Sequence, residues 1–318
     1  MEDQSVYRRW DELIPDALGL IFANLSLQEK LTVVPRVCKS WCRAVSGPYC
    51  WQEIDIDEWS KSCKPDYIDR MLRMLIMRSS GSLHKLCVSG LYSDASFTFL
   101  AEHTGSLQTL RLTRSEISDS IVEQISGRLS TVTFLDLSYC GKIGARAFEA
   151  IGKHCKLLVG LCRNMYPLMD GDKSQEDEAN AIATTMPKLK RLEIAYLRIS
   201  TDGVLKILSG CPELEYLDLR GCWEVELDIS FLMEKFPKLK TLGPLVMDFY
   251  EMDWDSDSSE YLPWEFVTGD DGEYNDDDDN SLDELWDDER RLEELELRFY
   301  EEMEDACLNR LFGWHPSP

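Results

Sequence analysis

The chain has 318 residues, 44% of them hydrophobic, and a formal charge of −25. The acidity is local: positions 251–305 hold 25 Asp and Glu against three Arg, a net of −22, so the remainder carries only −3. A near-neutral body without clustered Lys and Arg excludes nucleic acid as a direct partner, and no run reaches the about eighteen apolar residues that a membrane helix needs.

Residues 1–9 are charged and polar, with no apolar stretch of a targeting peptide, so a cytoplasmic or nuclear protein is expected. Its eleven cysteines then read as reduced thiols, mostly small buried hydrophobes. No C-x-x-C pair occurs, and His84, His103, His154 and His315 are scattered, so no metal site is expected.

From Trp10 to Trp51 the apolar residues follow a helical period. Ile14, Leu18, Ile21, Phe22 and Leu25 fall three and four apart, as do Leu31, Val34, Val37, Cys38 and Trp41. Pro15 fits a first helical turn, Ser26 caps a helix starting near Leu27 with Glu29 in its first turn, and Ser46-Gly47-Pro48 stops the last helix. Three short helices in about forty residues bury too little to stand alone.

The run from Leu13 to Leu25, with Ile14-Pro15 at its start and Ile21-Phe22 at its centre, resembles an F-box. So do Arg36-Val37-Cys38-Lys39-Ser40-Trp41 and the closing Trp51, while Ala17 and Cys42 depart from the family pattern. The resemblance implies binding to a Skp-type adaptor, and through it to a cullin. By matching positions, Pro15, Leu18, Ile21, Phe22, Leu25, Leu31, Val34, Val37, Cys38 and Trp41 are the expected adaptor contacts or their direct support.

Next come hexads of the form L-x-x-L-x-L, starting at Leu83, Leu107, Val132, Leu158, Leu189, Leu214 and Leu239, at intervals of 24, 25, 26, 31, 25 and 25 residues. Trp51-Gln52-Glu53-Ile54-Asp55-Ile56 fits the same frame, with residues 66–78 as its helix. A period in the twenties is that of a leucine-rich repeat, one strand and one helix per repeat stacked into an α/β solenoid. Cysteines after the strand (Cys140) and at the end of the helix (Cys155, Cys211) resemble the cysteine-containing subtype common in F-box proteins.

Strand alternation sends the leucines inward and writes the concave face with the residues between them. Lys85, Arg111, Phe134, Asp136, Arg191, Glu193, Tyr216, Asp218 and Arg220 are the expected substrate-contacting residues, on a polar and aromatic surface open to water. The scattered Lys85, Arg111 and Arg191 do not demand a small-molecule cofactor, and none is expected.

The repeat at Leu158 is irregular: Arg163 stands where a third leucine belongs, and the excess length sits around Asn164 to Asp177. Met165, Tyr166 and Met169 are candidates for recognition in that loop. After Leu245 the repeat stops. Residues 248–281 are expected to be acidic and disordered, residues 282–312 an amphipathic helix that either caps the solenoid, the favoured reading, or docks a partner, and 313–318 a tail. The whole then divides into an F-box module (1–50), repeats (51–247) and these acidic segments.

Phosphate-cradling G-x-x-x-x-G-K and nucleophile G-x-S-x-G motifs do not occur, which argues against an enzyme. The function expected is substrate recognition in an SCF-type ubiquitin ligase, the repeats choosing the protein to be ubiquitinated. The alternative is a non-catalytic repeat protein whose acidic tail binds basic proteins, similar to the acidic leucine-rich nuclear phosphoproteins, which lack an F-box.

Overall fold

The structure, a computed structural model, describes residues 13–166, 174–227, 232 and 234–244. The chain divides into two compact units, Met1–Phe249 and Tyr250–Pro318, and every described residue belongs to the first. The expected acidic segments from residue 248 onward, and Met169 in the irregular loop, lie outside the described residues.

Helix α1 (Pro15–Phe22) opens with proline at its start after extended Ile14, as the missing N–H and fixed φ of proline favour. Asn24 Nδ2 donates to the Leu20 carbonyl at 3.1 Å where the helix ends. Ser26 and Glu29 then form a reciprocal cap: Glu29 N–H donates to Ser26 Oγ at 3.2 Å, and the Glu29 carboxylate accepts from Ser26 N–H at 3.0 Å. The helix expected from Leu27 is not uniform. Glu29–Val33 is a π-helical turn that runs into α2 (Val34–Val37), and Val34 N–H donates to the Glu29 carbonyl five residues back. Pro35 lacks the N–H needed for a regular turn and its ring crowds the preceding one, so the wider turn absorbs it. Extended Cys38 separates α2 from α3 (Lys39–Val45), and a 3-10 turn follows at Pro48–Cys50.

From there strands and helices alternate. Strand β1 is Glu53–Asp55, β2 Lys85–Ser89, β3 Thr109–Thr113, β4 Phe134–Asp136, β5 Gly160–Cys162, β6 Arg191–Glu193, β7 Tyr216–Asp218 and β8 Lys240–Leu242. The helices between them are α4 (Asp57–Lys61) and α5 (Pro65–Ser79), then α6 (Asp94–His103), α7 (Asp119–Ile125), α8 (Ala145–His154), α9 (Glu176–Thr185) and α10 (Thr201–Gly210). All eight strands form one sheet in sequence order, each parallel to the next. Parallel neighbours require a crossover, which the helix supplies.

Register is one to one. Ile54, Leu86, Leu110, Leu135, Leu161, Leu192 and Leu217 share a single lane across the sheet, all of them buried. Each such side chain contributes about 1.5–3 kcal/mol when removed from water. The helices stack as closely as the strands: a Cβ on Gly210 of α10 would sit 2.0 Å from the Ala183 carbonyl oxygen of α9, so that contact needs glycine.

Buried cysteine thiols bond backward to the preceding repeat. Cys140 Sγ reaches the Leu112 carbonyl at 3.0 Å, Cys222 the Ile194 carbonyl at 3.2 Å and Cys211 the Met186 carbonyl at 3.4 Å. Burial pushes the thiols of Cys140, Cys211 and Cys222 up to about 12, so they stay protonated and unreactive at neutral pH.

The irregular repeat is rescued by an ion pair. Arg163 points into the core with 2% of its surface exposed. It donates from Nε and one terminal nitrogen to both Glu178 oxygens at 2.9 and 3.2 Å. Its remaining hydrogens go to the carbonyls of Cys140 at 3.0 Å and Ile143 at 2.9 Å and to the Met165 sulfur at 3.0 Å. A buried charge persists only when paired and saturated in this way. Glu178→Leu, which strands the guanidinium, should therefore lower the unfolding free energy by about 3–5 kcal/mol, and adding Arg163→Leu should restore most of it, both read from urea midpoints. Leu137→Ala should cost about 2–5 kcal/mol by the same measurement, as a truncation at a buried position immediately after β4.

Candidate adaptor and partner surfaces

The three helices of the amino-terminal module meet around Leu18, Phe22, Val34, Ala44 and Val45, all buried. The Phe22 and Trp41 rings lie 5.0 Å apart and tilted by 56°. Helix α1 sits so close to the 3-10 turn that a Cβ on Gly19 would come within 2.8 Å of Tyr49 Cβ. Leu18, Phe22 and Val34 therefore hold the module together and have no surface to offer a partner.

The exposed apolar residues are others. Ile14 is 65% exposed, Val33 55%, Val37 53%, Leu20 52% and Ile21 43%. Seven of the twelve large hydrophobics exposed among the described residues fall between Leu13 and Tyr49, so the apolar surface is concentrated on this module. Of the residues expected from sequence, Ile21 and Val37 belong to this surface and Pro15 is exposed beside it. Leu25, Leu31, Cys38 and Trp41 are half-buried. Ile14, Leu20 and Val33 were not among them. Leu20 and Val33 had a signal as apolar residues lying off the buried stripe, and Ile14 as a member of the helical period.

Trp51 locks the module to the repeats. It is fully buried, and its Nε1 donates to the Val45 carbonyl at 2.6 Å. The Lys30 ammonium lies 5.0 Å and the Arg78 guanidinium 5.4 Å from the Trp51 ring. Desolvation lowers the Lys30 pKa, with the nearby Cys50 thiol acting in the opposite sense.

Across the sheet face, one lane runs Glu53, Lys85, Thr109, Phe134, Gly160, Arg191, Tyr216, Lys240 and the next Asp55, Cys87, Arg111, Asp136, Cys162, Glu193, Asp218, Leu242. The expected substrate residues are thus brought together, but the face is less open than expected. Asp136, Glu193 and Asp218 are only 4%, 7% and 1% exposed. Arg111 Nε lies 3.2 Å from Asp136, Arg191 Nε 2.7 Å from Glu193, and Arg220 clamps Asp218 with contacts of 2.7 to 3.1 Å. Asp136 and Asp218 also accept from the backbone N–H two residues on, both at 3.0 Å. The acids brace the sheet, and the half-buried or exposed groups above them are Arg111, Arg191, Arg220, Tyr216, Phe134 and Lys85. The Phe134 ring packs against Gly160, where a Cβ would come within 2.5 Å of it.

At the carboxyl ends of the strands, Arg114, Tyr139 and Tyr196 adopt left-handed φ of 52°, 63° and 60°, where the equivalent Gly90 and Gly221 do so without strain. The Tyr139 and Tyr166 rings lie 4.6 Å apart and tilted by 37°, and Trp223, two residues after Gly221, is 68% exposed. Met165, expected at the loop surface, turns its sulfur to Arg163 at 3.0 Å. Among the described residues no group of acids, His and Cys could hold a metal ion, and no helix is long and apolar enough to cross a membrane.

A small helical module with an apolar exterior, fused to a sequentially ordered parallel array, defines the class. The F-box domain family matches residues 10–53. F-box protein FBW2 of Arabidopsis thaliana is 56% identical over the full length of both chains. F-box protein SKIP1 of the same plant is 33% identical over 73% of this chain and 85% of its own. Putative F-box/LRR-repeat protein 23, also from Arabidopsis, is 30% identical over 76% of this chain and 54% of its own. The chain belongs to the plant F-box proteins. Members of this family are generally substrate-recognition subunits of SCF ubiquitin ligases and usually non-catalytic.

Asp218→Ala removes a fully buried acceptor from Arg220 and from a backbone N–H. It should cost about 1–3 kcal/mol of stability, measured by chemical denaturation.

Proposed function

We propose that the chain is the substrate receptor of an SCF-type ligase, its F-box seated on a Skp-type adaptor and its leucine-rich-repeat solenoid holding the protein to be ubiquitinated. The observation that carries this reading is the coincidence of the F-box match with the exposed Ile14, Leu20, Ile21, Val33 and Val37. Isolated apolar side chains are ordinary on a surface, but several on one small module point to a partner. Pro15, Leu25, Leu31, Cys38 and Trp41 border or underpin them, while Leu18, Phe22 and Val34 set their spacing from within. The module ends near residue 50 and the solenoid runs to about residue 247.

On the solenoid, substrate contact is assigned to Lys85, Arg111, Phe134, Arg191, Tyr216 and Arg220, with Asp136, Glu193 and Asp218 orienting the arginines. The rim aromatics Tyr139, Tyr166 and Trp223 extend that surface. Aromatic and guanidinium groups held rigidly are the usual anchors of protein recognition. A location in the cytoplasm or nucleus, where the ligase and its thiols remain functional, completes the reading.

Replacing Ile14 and Val37 together by Asp should abolish co-purification with a Skp-type adaptor while the thermal midpoint stays within a few degrees of the parent. Both side chains already stand in water, so neither change injures the core. Undiminished adaptor binding by the folded double variant would overturn the assignment of this surface.

A further inference from the structure

At the seam between the F-box and β1 lies a pocket of about 260 Å³, walled by Ala23, Leu25, Leu27, Trp51, Ile54 and Lys30. Lys30 is 8% exposed, and its side chain makes no hydrogen bond or ion pair among the described residues; the Trp51 ring lies 5.0 Å from its ammonium and the Cys50 thiol is near it. The two carboxylates on the pocket wall are engaged elsewhere. Glu53 lies 3.3 Å from His84 and 3.6 Å from Lys85, and Asp55 accepts from the Asp57 N–H at 3.2 Å. Arg78, 6% exposed, approaches the same indole at 5.4 Å, so positive charge accumulates around one buried ring.

The Lys30 ammonium has three donors and no oxygen acceptor on the protein, and it opens on the adjoining space, where an anion would take those donors. The space is below the roughly 300 Å³ at which drug-sized ligands begin to fit, so it admits one small group. We propose that this pocket binds a single carboxylate or phosphate group, with Lys30 as its charge partner and Trp51 and Leu27 against its apolar side. Two sources share that chemistry: a free small anion, or an acidic side chain of the bound adaptor. The free-anion source rests on the pocket alone, while the adaptor-borne source rests also on the proposed adaptor binding, which the Ile14 and Val37 variant tests separately.

Two arms on the full chain distinguish the sources. In the first, thermal unfolding is followed as sodium acetate or sodium phosphate replaces sodium chloride at constant ionic strength. A free-anion site raises the midpoint of the parent and of Lys30→Arg and leaves Lys30→Met flat. In the second, adaptor affinity is measured by calorimetry. An adaptor-borne acid makes Lys30→Met weaker by about tenfold or more, with Lys30→Arg close to the parent. Lys30→Met indistinguishable from the parent in both arms overturns the proposal. Should Lys30→Met fail to fold, the Lys30 side-chain methylene resonance, assigned through Lys30→Arg, decides. Its titration midpoint must rise on adding phosphate or adaptor, and an unmoved midpoint overturns the proposal as well.

Discussion

The structure depends on a ladder in which strands of three to five residues satisfy their backbone only through the strand of the next repeat. One repeat cannot bury its own leucine, and a stack can. Because the register is one to one from Ile54 to Leu217, every outward-facing residue is fixed at about 4.8 Å from its counterparts on either side. That spacing is short compared with an arginine side chain. Arg111 therefore reaches across to Asp136 on the next strand, while Arg191 and Arg220 fold onto acids of their own strands. The polar face becomes a layer of braced ion pairs instead of independent solvated groups.

Stacking also explains which irregularities the chain tolerates. Cys140, Cys211 and Cys222 occur where a small side chain must fill the core and still bond to a carbonyl of the preceding repeat. Arg163 is the extreme case. It substitutes a charge for a leucine, and the fold accepts it because Glu178 arrives from α9 and two carbonyls and the Met165 sulfur complete its hydrogen bonds. Neither residue is tolerable alone.

Periodicity made much of this legible. The hexad marked the strands, and the three- and four-residue spacing marked the amino-terminal helices, because both patterns record which side of an element faces apolar neighbours. The same property hid the adaptor-facing candidates Leu20 and Val33, since period selects the stripe that builds the module and thereby favours Leu18, Phe22 and Val34. The burial of Asp136, Glu193 and Asp218 was hidden for another reason: charge type suggests exposure, and only the neighbouring strand reveals the arginine that covers it. The π-helical turn had a local cue in Pro35, but its outcome depends on how a whole helix accommodates one missing donor.

The first strand poses a problem that the middle strands do not. An edge strand presents unpaired backbone groups and an apolar lane with no repeat beyond it. Yet Trp51, Ile54 and Ile56 are as buried as residues in the centre of the sheet. The turn at Ala23 to Leu27 and Lys30 share a pocket wall with Trp51 and Ile54, so the F-box occupies the place that a preceding repeat would take. Trp51 closes the F-box and opens the first hexad, and its indole is tied to Val45 on one side while its backbone leads directly into β1. The module that is too small to stand alone and the array that cannot leave its end bare thus stabilise each other at a junction centred on Trp51. Their relative orientation follows from that packing, with no linker to adjust it.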